Sequence, residues 1–197
     1  MKRGPWKPTP EQIRAAAGKT VPDVIAPGLE VLFVGINPGL YTAAVGHHFA
    51  RPGNRFWPAL HRAGFTARQL SPFGERELLA SGYGITNVVR RASAAAGEIT
   101  REEYRAGGRR LLARVKRYHP RFAAICGVEA YRKAFERPDA RIGEQAEGLG
   151  PARLWVLPNP SGLNAHYSLP ELARLLREFR EAVEETRSRR GGRQGRA

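Results

Sequence analysis

The stretch Leu29-Glu30-Val31-Leu32-Phe33-Val34-Gly35-Ile36 is followed at once by Asn37-Pro38-Gly39. Its apolar residues are mostly branched or aromatic and nearly continuous, which is typical of a strand buried on both faces of a sheet. The Pro and Gly that follow end regular structure and bring the backbone into a constrained turn. We therefore predict a central strand over 29–36 with an unusual loop directly after it.

The same alternation of short apolar runs and helical patterns continues along the chain. Further strands are predicted at 85–89, 121–126 and 154–157. Helices are predicted at 54–63, 100–118, 128–135 and from Ser168 onward, the second and fourth opening with capping boxes. This order predicts an α/β three-layer sandwich with a mostly parallel sheet of four to five strands and helices on both faces. In such sheets ligands bind beyond the carboxyl ends of the strands.

Composition excludes several classes of protein. The chain has 197 residues, 33 Lys and Arg against 18 Asp and Glu, and one cysteine. A single cysteine excludes a disulfide framework, a Cys-rich zinc site and a cysteine-ligated iron–sulfur cluster. No apolar run approaches the ~20 residues of a membrane span, and no secretory signal is present. We expect a bacterial cytoplasmic protein without a membrane partner.

The net charge of +15 is concentrated at the ends of the chain. Residues 1–22 are predicted to form a mobile basic arm, and 187–197, with five Arg and no acid, a disordered tail. A single domain would then occupy 23–186, which is also basic. Polyanion binding, above all to nucleic acid, is the favoured interpretation, and a merely solubilising tail is the alternative.

Two strand ends and one loop carry the residues suited to chemistry. Asn-Pro follows the first predicted strand at Asn37 and the last at Asn159. The loop 46–57 between them interleaves aromatic residues with arginine, which suits base stacking and phosphate pairing. Adjacent His47 and His48 should point in different directions, so no metal site is predicted. Cys126, Phe56 and Trp57 are predicted to be core residues, and the common catalytic motifs are absent.

These blocks resemble a known family. Gly35-Ile36-Asn37-Pro38-Gly39 resembles the first motif of the mismatch-specific uracil-DNA glycosylases, the thymine-DNA glycosylase branch of the uracil-DNA glycosylase superfamily. Further similarity lies in 46–49 with 52–57, in 84–89, and in 159–163, the last resembling the DNA-intercalation loop of bacterial members. The similarity runs from about Ala26 to Val183 and leaves the two tails outside.

The resemblance implies a monomeric base excision repair enzyme that needs no cofactor. It would flip uracil, notably from G:U mismatches, out of double-stranded DNA and hydrolyse the N-glycosidic bond, leaving an abasic site. By the motif match, Asn37 would position the attacking water or shield the sugar, without acting as a strong base, and Ser93 would help to bind the water. None of the five lysines lies in a motif, which implies a monofunctional enzyme without a Schiff base.

The resemblance also implies a base pocket and a wedge. Backbone N–H groups at Ile36 and around Phe49 would hold the leaving base, on which the Phe49 ring would stack. The remaining pocket residues would be His48, Asn87 at the base edge and Thr42 near the pyrimidine 5-position. Leu163 would fill the space left in the duplex. The other residues of this loop expected at the DNA are Asn159, Ser161, Gly162, Asn164 and His166.

The chain departs from its relatives at three positions. Ala165 stands where relatives carry an arginine, and Thr42 where thymine-processing relatives have a smaller residue. Asn37 replaces the Asp of the highly active uracil-specific branch, so turnover should be slow. Two alternatives stay open: a glycosylase of the same fold that prefers another lesion, such as hypoxanthine or an ethenobase, and a DNA-binding module that has lost catalysis.

Overall fold

A five-stranded sheet forms the centre of the molecule. The computed structural model describes residues 6–194, and side chains as far as 189. The strands are β1 (Val31–Gly35), β2 (Tyr83–Asn87), β3 (Phe122–Cys126), β4 (Gly143–Glu144) and β5 (Arg153–Leu157). Their order is β2-β1-β3-β5-β4, and all adjacent pairs are parallel except β4 with β5. This confirms the predicted fold class, although the sequence did not indicate the antiparallel edge strand β4.

Helices surround the sheet. They are α1 (Pro10–Arg14), α2 (Leu40–Val45), α3 (Phe56–Arg62), α4 (Arg101–Tyr118), α5 (Val128–Phe135) and α6 (Leu169–Gln194). Two 3-10 segments lie at Pro72–Ser81 and Ala96–Glu98. Within residues 6–194 no helix combines the length and the apolar character that a membrane span requires.

The side chains of β1 alternate between the two faces of the sheet. Phe33 packs on one face with Phe56 of α3 and Phe179 of α6. Leu32 and Val34 pack on the other face against α4 and α5. All five residues of β1 are buried, as expected of a central strand covered on both sides. The parallel strands therefore end together at one edge of the sheet, where the predicted functional loops emerge.

The N-terminal segment differs from the predicted mobile arm. The capping box of Thr9 and Gln12 begins α1, and Ala16 and Val21 are buried with Ala43 and Ala92 in a small separate cluster. The Gly18 N–H also donates to the Ala92 carbonyl (3.0 Å). A few apolar residues are enough to hold the segment in place, because they pack on a surface that the rest of the fold provides. Residues 1–5 of the predicted arm lie outside the described residues.

The C-terminal segment also differs from its prediction, because α6 continues to Gln194 through residues expected to be disordered. Extending an existing helix requires only one residue to be fixed per hydrogen bond, and arginine is a good helix former. Thr186 accepts a hydrogen bond from Arg153, the first residue of β5. The helix thus runs from the carboxyl edge of the sheet to the opposite edge. Residues 195–197 of the predicted tail lie outside the described part of the chain.

Candidate active site

A cleft of about 400 Å³ opens where β1, β2, β3 and β5 end. All but two of the site residues predicted from the sequence line it: Ile36, Asn37, Thr42, His48, Phe49, Asn87, Ser93, Asn159, Ser161, Leu163 and Asn164. Gly162 belongs to the same loop, and His166 lines an adjoining cavity. The sequence did not single out Gly39, Arg51, Asn54 or Ala94–Ala96, which complete the wall with Cys126.

The side-chain amide of Asn37 has a fixed orientation. Its Nδ2 donates to Ser93 Oγ (2.8 Å), to the Pro38 carbonyl (3.1 Å) and to the Arg91 carbonyl (3.2 Å). Among residues 6–194 no group donates to its Oδ1, and that oxygen is not buried. Because the nitrogen is committed to the protein, the oxygen is the atom left to accept a hydrogen bond from water in the cleft.

Ser93 orients Asn37 rather than pointing freely into the cleft. Its hydroxyl accepts from Asn37 and donates to the Ala95 carbonyl (2.8 Å). The backbone carrying it is held as well, since the Ser93 N–H donates to the Pro38 carbonyl (3.2 Å). Ser93 is buried. Its single hydroxyl proton is therefore already used within the protein.

A salt bridge braces the segment whose carbonyl binds Asn37. Arg91 donates from Nε and Nη2 to the two carboxylate oxygens of Glu103, and Nη2 also donates to the Glu98 carbonyl (2.9 Å). Glu103 belongs to the capping box that begins α4 with Thr100. Hydrogen bonds from Arg91, and then from the Thr100 N–H, lower the pKa of Glu103 from 4.5 to about 2. The sequence predicted the cap but not this second role of Glu103.

Glu103 should make the fold sensitive to acid. Its pKa is lower in the folded chain, so its stabilising contribution is complete above pH 4.5 and is lost as pH falls through about 2. We expect Glu103→Gln to lower the free energy of unfolding near neutral pH, with the difference from wild type shrinking over that window. Urea denaturation at a series of pH values measures this.

The matched control is Glu102→Gln, because Glu102 is exposed and forms no hydrogen bond or ion pair with another described side chain. It should leave the pH profile as in wild type. A difference between Glu103→Gln and wild type that stays constant as the pH falls would exclude the carboxylate as its cause.

His48 orients the second amide of the cleft. The imidazole is almost fully buried, and its Nε2 lies 2.9 Å from the Pro22 carbonyl, to which it must donate because a carbonyl only accepts. Burial lowers the pKa of His48 below its usual 6.5 and favours the neutral ring. Nδ1 is then an acceptor for Asn87 Nδ2 at 3.4 Å. This leaves the other N–H of Asn87 available to the cleft.

Gly35 gives Asn87 room at the end of β1. A Cβ at position 35 would lie 2.4 Å from Asn87 Oδ1 and 3.3 Å from the Phe49 ring. Any side chain at position 35 would therefore displace both cleft residues. This close approach explains the first Gly of the motif at 35–39.

Phe49 is held in an uncommon backbone conformation. Its φ of 53° lies in the left-handed region, which costs a non-glycine residue about 1–3 kcal/mol. The ring stacks on Phe56, with centroids 4.0 Å apart and planes 20° apart. Phe56 and Trp57 are both buried, which confirms their predicted core role. The Phe49 N–H donates to no described residue and so remains available as a donor.

The buried carboxylate of Glu75 fixes the turn before Phe49. It accepts from the His48 N–H (2.7 Å), and His47 Nδ1 lies 2.8 Å from its other oxygen. The two histidines therefore diverge, His47 toward Glu75 and His48 toward Pro22. Glu75 comes from a 3-10 segment that sequence periodicity did not indicate, so nothing in the sequence pattern pointed to it.

A second ionic group supports the end of β2 from the side of α4. Arg114 pairs with Asp23 (3.0 Å) and donates to the Asn87 carbonyl (3.2 Å). Thr86 donates to the other oxygen of Asp23 (2.7 Å) and accepts from Arg114. Both charged side chains are largely buried, so this group fixes the backbone that presents Asn87.

The loop after β5 exposes Leu163. This side chain is 71% exposed, and within residues 6–194 only Trp6 and Phe73 are comparable large apolar residues at the surface. Asn159 Oδ1 accepts from the Ser161 N–H (3.0 Å), and Asn164 Nδ2 donates to the Asn159 carbonyl (2.9 Å). The loop is thus internally bonded around an apolar residue that is mostly exposed.

Cys126 closes the floor of the cleft as a core residue, as predicted. It is buried, and desolvation raises the pKa of its thiol to about 12. The described lining of the cleft contains amides, hydroxyls, His48 and Arg51 but no carboxylate. The chemistry available there is the binding and positioning of neutral groups by hydrogen bonds, without a strong general base.

Comparison with known protein families finds a match over most of the chain. A model described as the Uracil DNA glycosylase superfamily matches residues 22–187. This span contains every strand, the cleft and the loop of Leu163.

Proposed function

We propose a specific activity for this chain, which belongs to the uracil DNA glycosylase superfamily. The proposed activity is that of a mismatch-type enzyme that removes uracil from double-stranded DNA. Membership of the superfamily supports a DNA glycosylase, a hydrolase of DNA repair. The branch related to thymine-DNA glycosylase, the preference for G:U mismatches, the monofunctional reaction and action as a monomer are our proposal. The observation that carries it is the fixed Asn37 amide facing a cleft whose described lining contains no carboxylate.

In the proposed reaction Asn37 Oδ1 accepts a hydrogen bond from the attacking water. Oriented in this way, the water adds to C1′ of the deoxyribose as the bond from C1′ to the base breaks, and the water proton is released to solvent. The electron pair of the broken bond leaves with the base, which becomes an anion. Ser93 acts through Asn37 as a positioning residue, since its own proton is held by Ala95.

The leaving base would be held by groups that donate hydrogen bonds. Developing negative charge on uracil is stabilised by donors that are already in place. The free N–H of Asn87 and the N–H of Phe49 are suited to this role, and the Phe49 ring offers a face for stacking. The neutral state of His48 supports the proposal, because a protonated ring would turn a donor toward the donor of Asn87.

Double-stranded DNA is the proposed partner because a stacked base cannot be reached in place. Leu163 would enter the duplex when the base leaves it, and its exposure supports this role. The net charge of +15 favours a polyanion. We also propose that the protein acts as a single chain on DNA in the bacterial cytoplasm and that it needs no metal or cofactor.

A panel of duplexes tests this function. Each duplex carries one modified base opposite a defined partner, and alkali converts abasic sites to strand breaks. We expect release of uracil opposite guanine to exceed that of every other base. Faster release of hypoxanthine or an ethenobase would assign another lesion to the same site, and no release from any duplex would support a binding module.

Thr42 should limit the acceptance of thymine. It is buried in the wall of the cleft, and uracil and thymine differ only in the 5-methyl group. If Thr42 borders that position, overpacking would cost thymine about 1–3 kcal/mol, or about one to two powers of ten in rate. We expect Thr42→Ala to raise the thymine-to-uracil ratio of single-turnover rates. An unchanged ratio would show that flipping, and not the pocket, sets the difference.

A further inference from the structure

Arg55 is turned into the protein rather than toward a possible phosphate. The sequence placed it among aromatic residues in a loop suited to nucleic acid. In the structure its Nη1 donates to the Tyr167 carbonyl, and its Nη2 donates to the carbonyls of Ser161 and Asn164, the latter at 2.7 Å. The guanidinium therefore binds three backbone oxygens of the loop that carries Leu163.

These acceptors lie on both sides of Leu163. Ser161 precedes it by two residues, Asn164 follows it directly, and Tyr167 lies where the loop leads into α6. The Arg55 N–H adds a fourth bond, to the Pro160 carbonyl (2.9 Å). Hydrogen bonds from a charged donor are stronger than neutral ones, and the planar fork of arginine fixes direction as well as distance.

Arg55 clamps the Leu163 loop from a position next to the hydrophobic core. Arg55 directly precedes α3, whose Phe56 and Trp57 are buried against the sheet. A second contact lies nearby, where a Cβ at Gly162 would be 2.6 Å from the Gly53 carbonyl. The exposed loop is therefore bonded to Arg55 at the start of a well-packed helix and lies against the segment before it at Gly53.

A wedge works best when its shape exists before DNA binds. Ordering a loop during binding reduces affinity, because the lost conformational freedom must be offset by the contacts formed. Leu163 cannot order the loop itself, since 71% of its side chain is exposed. The loop has its own bonds through Asn159 and Asn164, and Arg55 adds the bonds that tie it to the rest of the fold.

We propose that Arg55 is a positioning residue that holds the Leu163 loop in its inserting shape before DNA is bound. This inference rests on the proposed function. It assigns to Arg55 an effect on base flipping that acts through Leu163 and needs no contact between Arg55 and DNA.

A double-mutant cycle of Arg55→Gln and Leu163→Ala tests the clamp. We expect Arg55→Gln alone to slow uracil release from a fully paired duplex by about ten- to a hundredfold, and to add almost nothing when Leu163 is already alanine. Arg55→Lys should fall between wild type and glutamine, because one ammonium cannot span the three carbonyls. Losses that simply multiply in the double variant would overturn the proposal.

Arg51→Gln is the matched control. The substitution removes the same charge four residues away, Arg51 is exposed at the rim of the cleft, and its side chain forms no hydrogen bond or ion pair with another described residue. We expect Arg51→Gln to weaken binding and to flatten its salt dependence, whereas Arg55→Gln should leave the salt slope as in wild type. A reduced salt slope for Arg55→Gln would show that Arg55 contacts phosphate, which would contradict the clamp.

A binding measurement separates this inference from the proposed function. The probe is a duplex with 2-aminopurine next to a stable abasic-site analogue, whose fluorescence rises when a wedge disrupts the stack. Arg55→Gln should reduce that rise as much as Leu163→Ala does. If wild type releases no base from any duplex, the proposed function fails while this measurement still tests the clamp. A full fluorescence rise with Arg55→Gln would contradict the clamp even in an active enzyme.

Discussion

Replacing Asn37 by alanine should slow base release by about 10²–10³-fold while DNA affinity stays near that of wild type. The Asn37 amide is held by three acceptors of the protein, and its oxygen is the atom left for water. The proposed partner of this oxygen is the attacking water and not the DNA, so the loss of the amide should appear in the chemical step. Single-turnover rates on a G:U duplex measure the effect.

Two further measurements make this result specific. Binding to a duplex that contains 2′-fluoro-2′-deoxyuridine, which resists cleavage, should be almost unchanged in the Asn37→Ala variant. Ser93→Ala should cause a smaller loss, since Asn37 keeps its bonds to Pro38 and Arg91. A wild-type rate for Asn37→Ala would remove this residue from the mechanism, and a Ser93→Ala loss that exceeds it would make the hydroxyl the principal group.

Replacing Leu163 by alanine should slow uracil release from a paired A:U duplex by about ten- to a hundredfold, and much less from a G:U mismatch. Opening a stable pair costs a few kcal/mol, and a mismatch costs less. Burial of a leucine side chain in the vacated space contributes about 1.5–3 kcal/mol toward that cost. Single-turnover rates on the two duplexes give the ratio.

Stability and a second exposed residue serve as controls for Leu163. Because the side chain is 71% exposed, Leu163→Ala should change the free energy of unfolding by no more than about 0.5 kcal/mol. Trp6→Ala removes another exposed apolar side chain outside the cleft and should leave the ratio of the two rates as in wild type. Equal losses on paired and mismatched duplexes would argue against insertion into the stack.

The absence of a carboxylate among the described residues of the cleft bears on the expected speed of the enzyme. An amide oxygen orients water but takes up a proton poorly, so catalysis would depend on stabilising the departing base. Buried and charged side chains hold the groups that this mechanism would need. Glu75 and His48 fix the proposed donors to the base, and Arg91 with Glu103 fixes the carbonyl to which Asn37 donates. Slow turnover is the expected consequence.

The pattern of apolar residues was enough to predict the sheet and the edge at which the candidate site lies. Continuous apolar runs can be buried on both faces only as central strands, so β1, β3 and β5 were predictable within one or two residues at their carboxyl ends. Parallel strands end at a common edge, which brought Asn37 and Asn159 together without further information. The capping boxes at Thr100 and Ser168 likewise fixed the starts of α4 and α6, because their bonds are local.

The side chains that support the candidate site could be identified only in the folded chain. Arg55, Glu75 and Glu103 bind groups from distant parts of the chain, and such pairs depend on how finished elements pack. The packing of Ala16 and Val21 was not predicted for the same reason. These residues have few apolar atoms, and their partners include Ala43 of α2, which is distant in the sequence. Hydrophobic periodicity records which face of an element is buried, but not which polar group that face meets. The sequence alone therefore does not distinguish an arginine that binds a loop of the same chain from one that binds a phosphate of DNA.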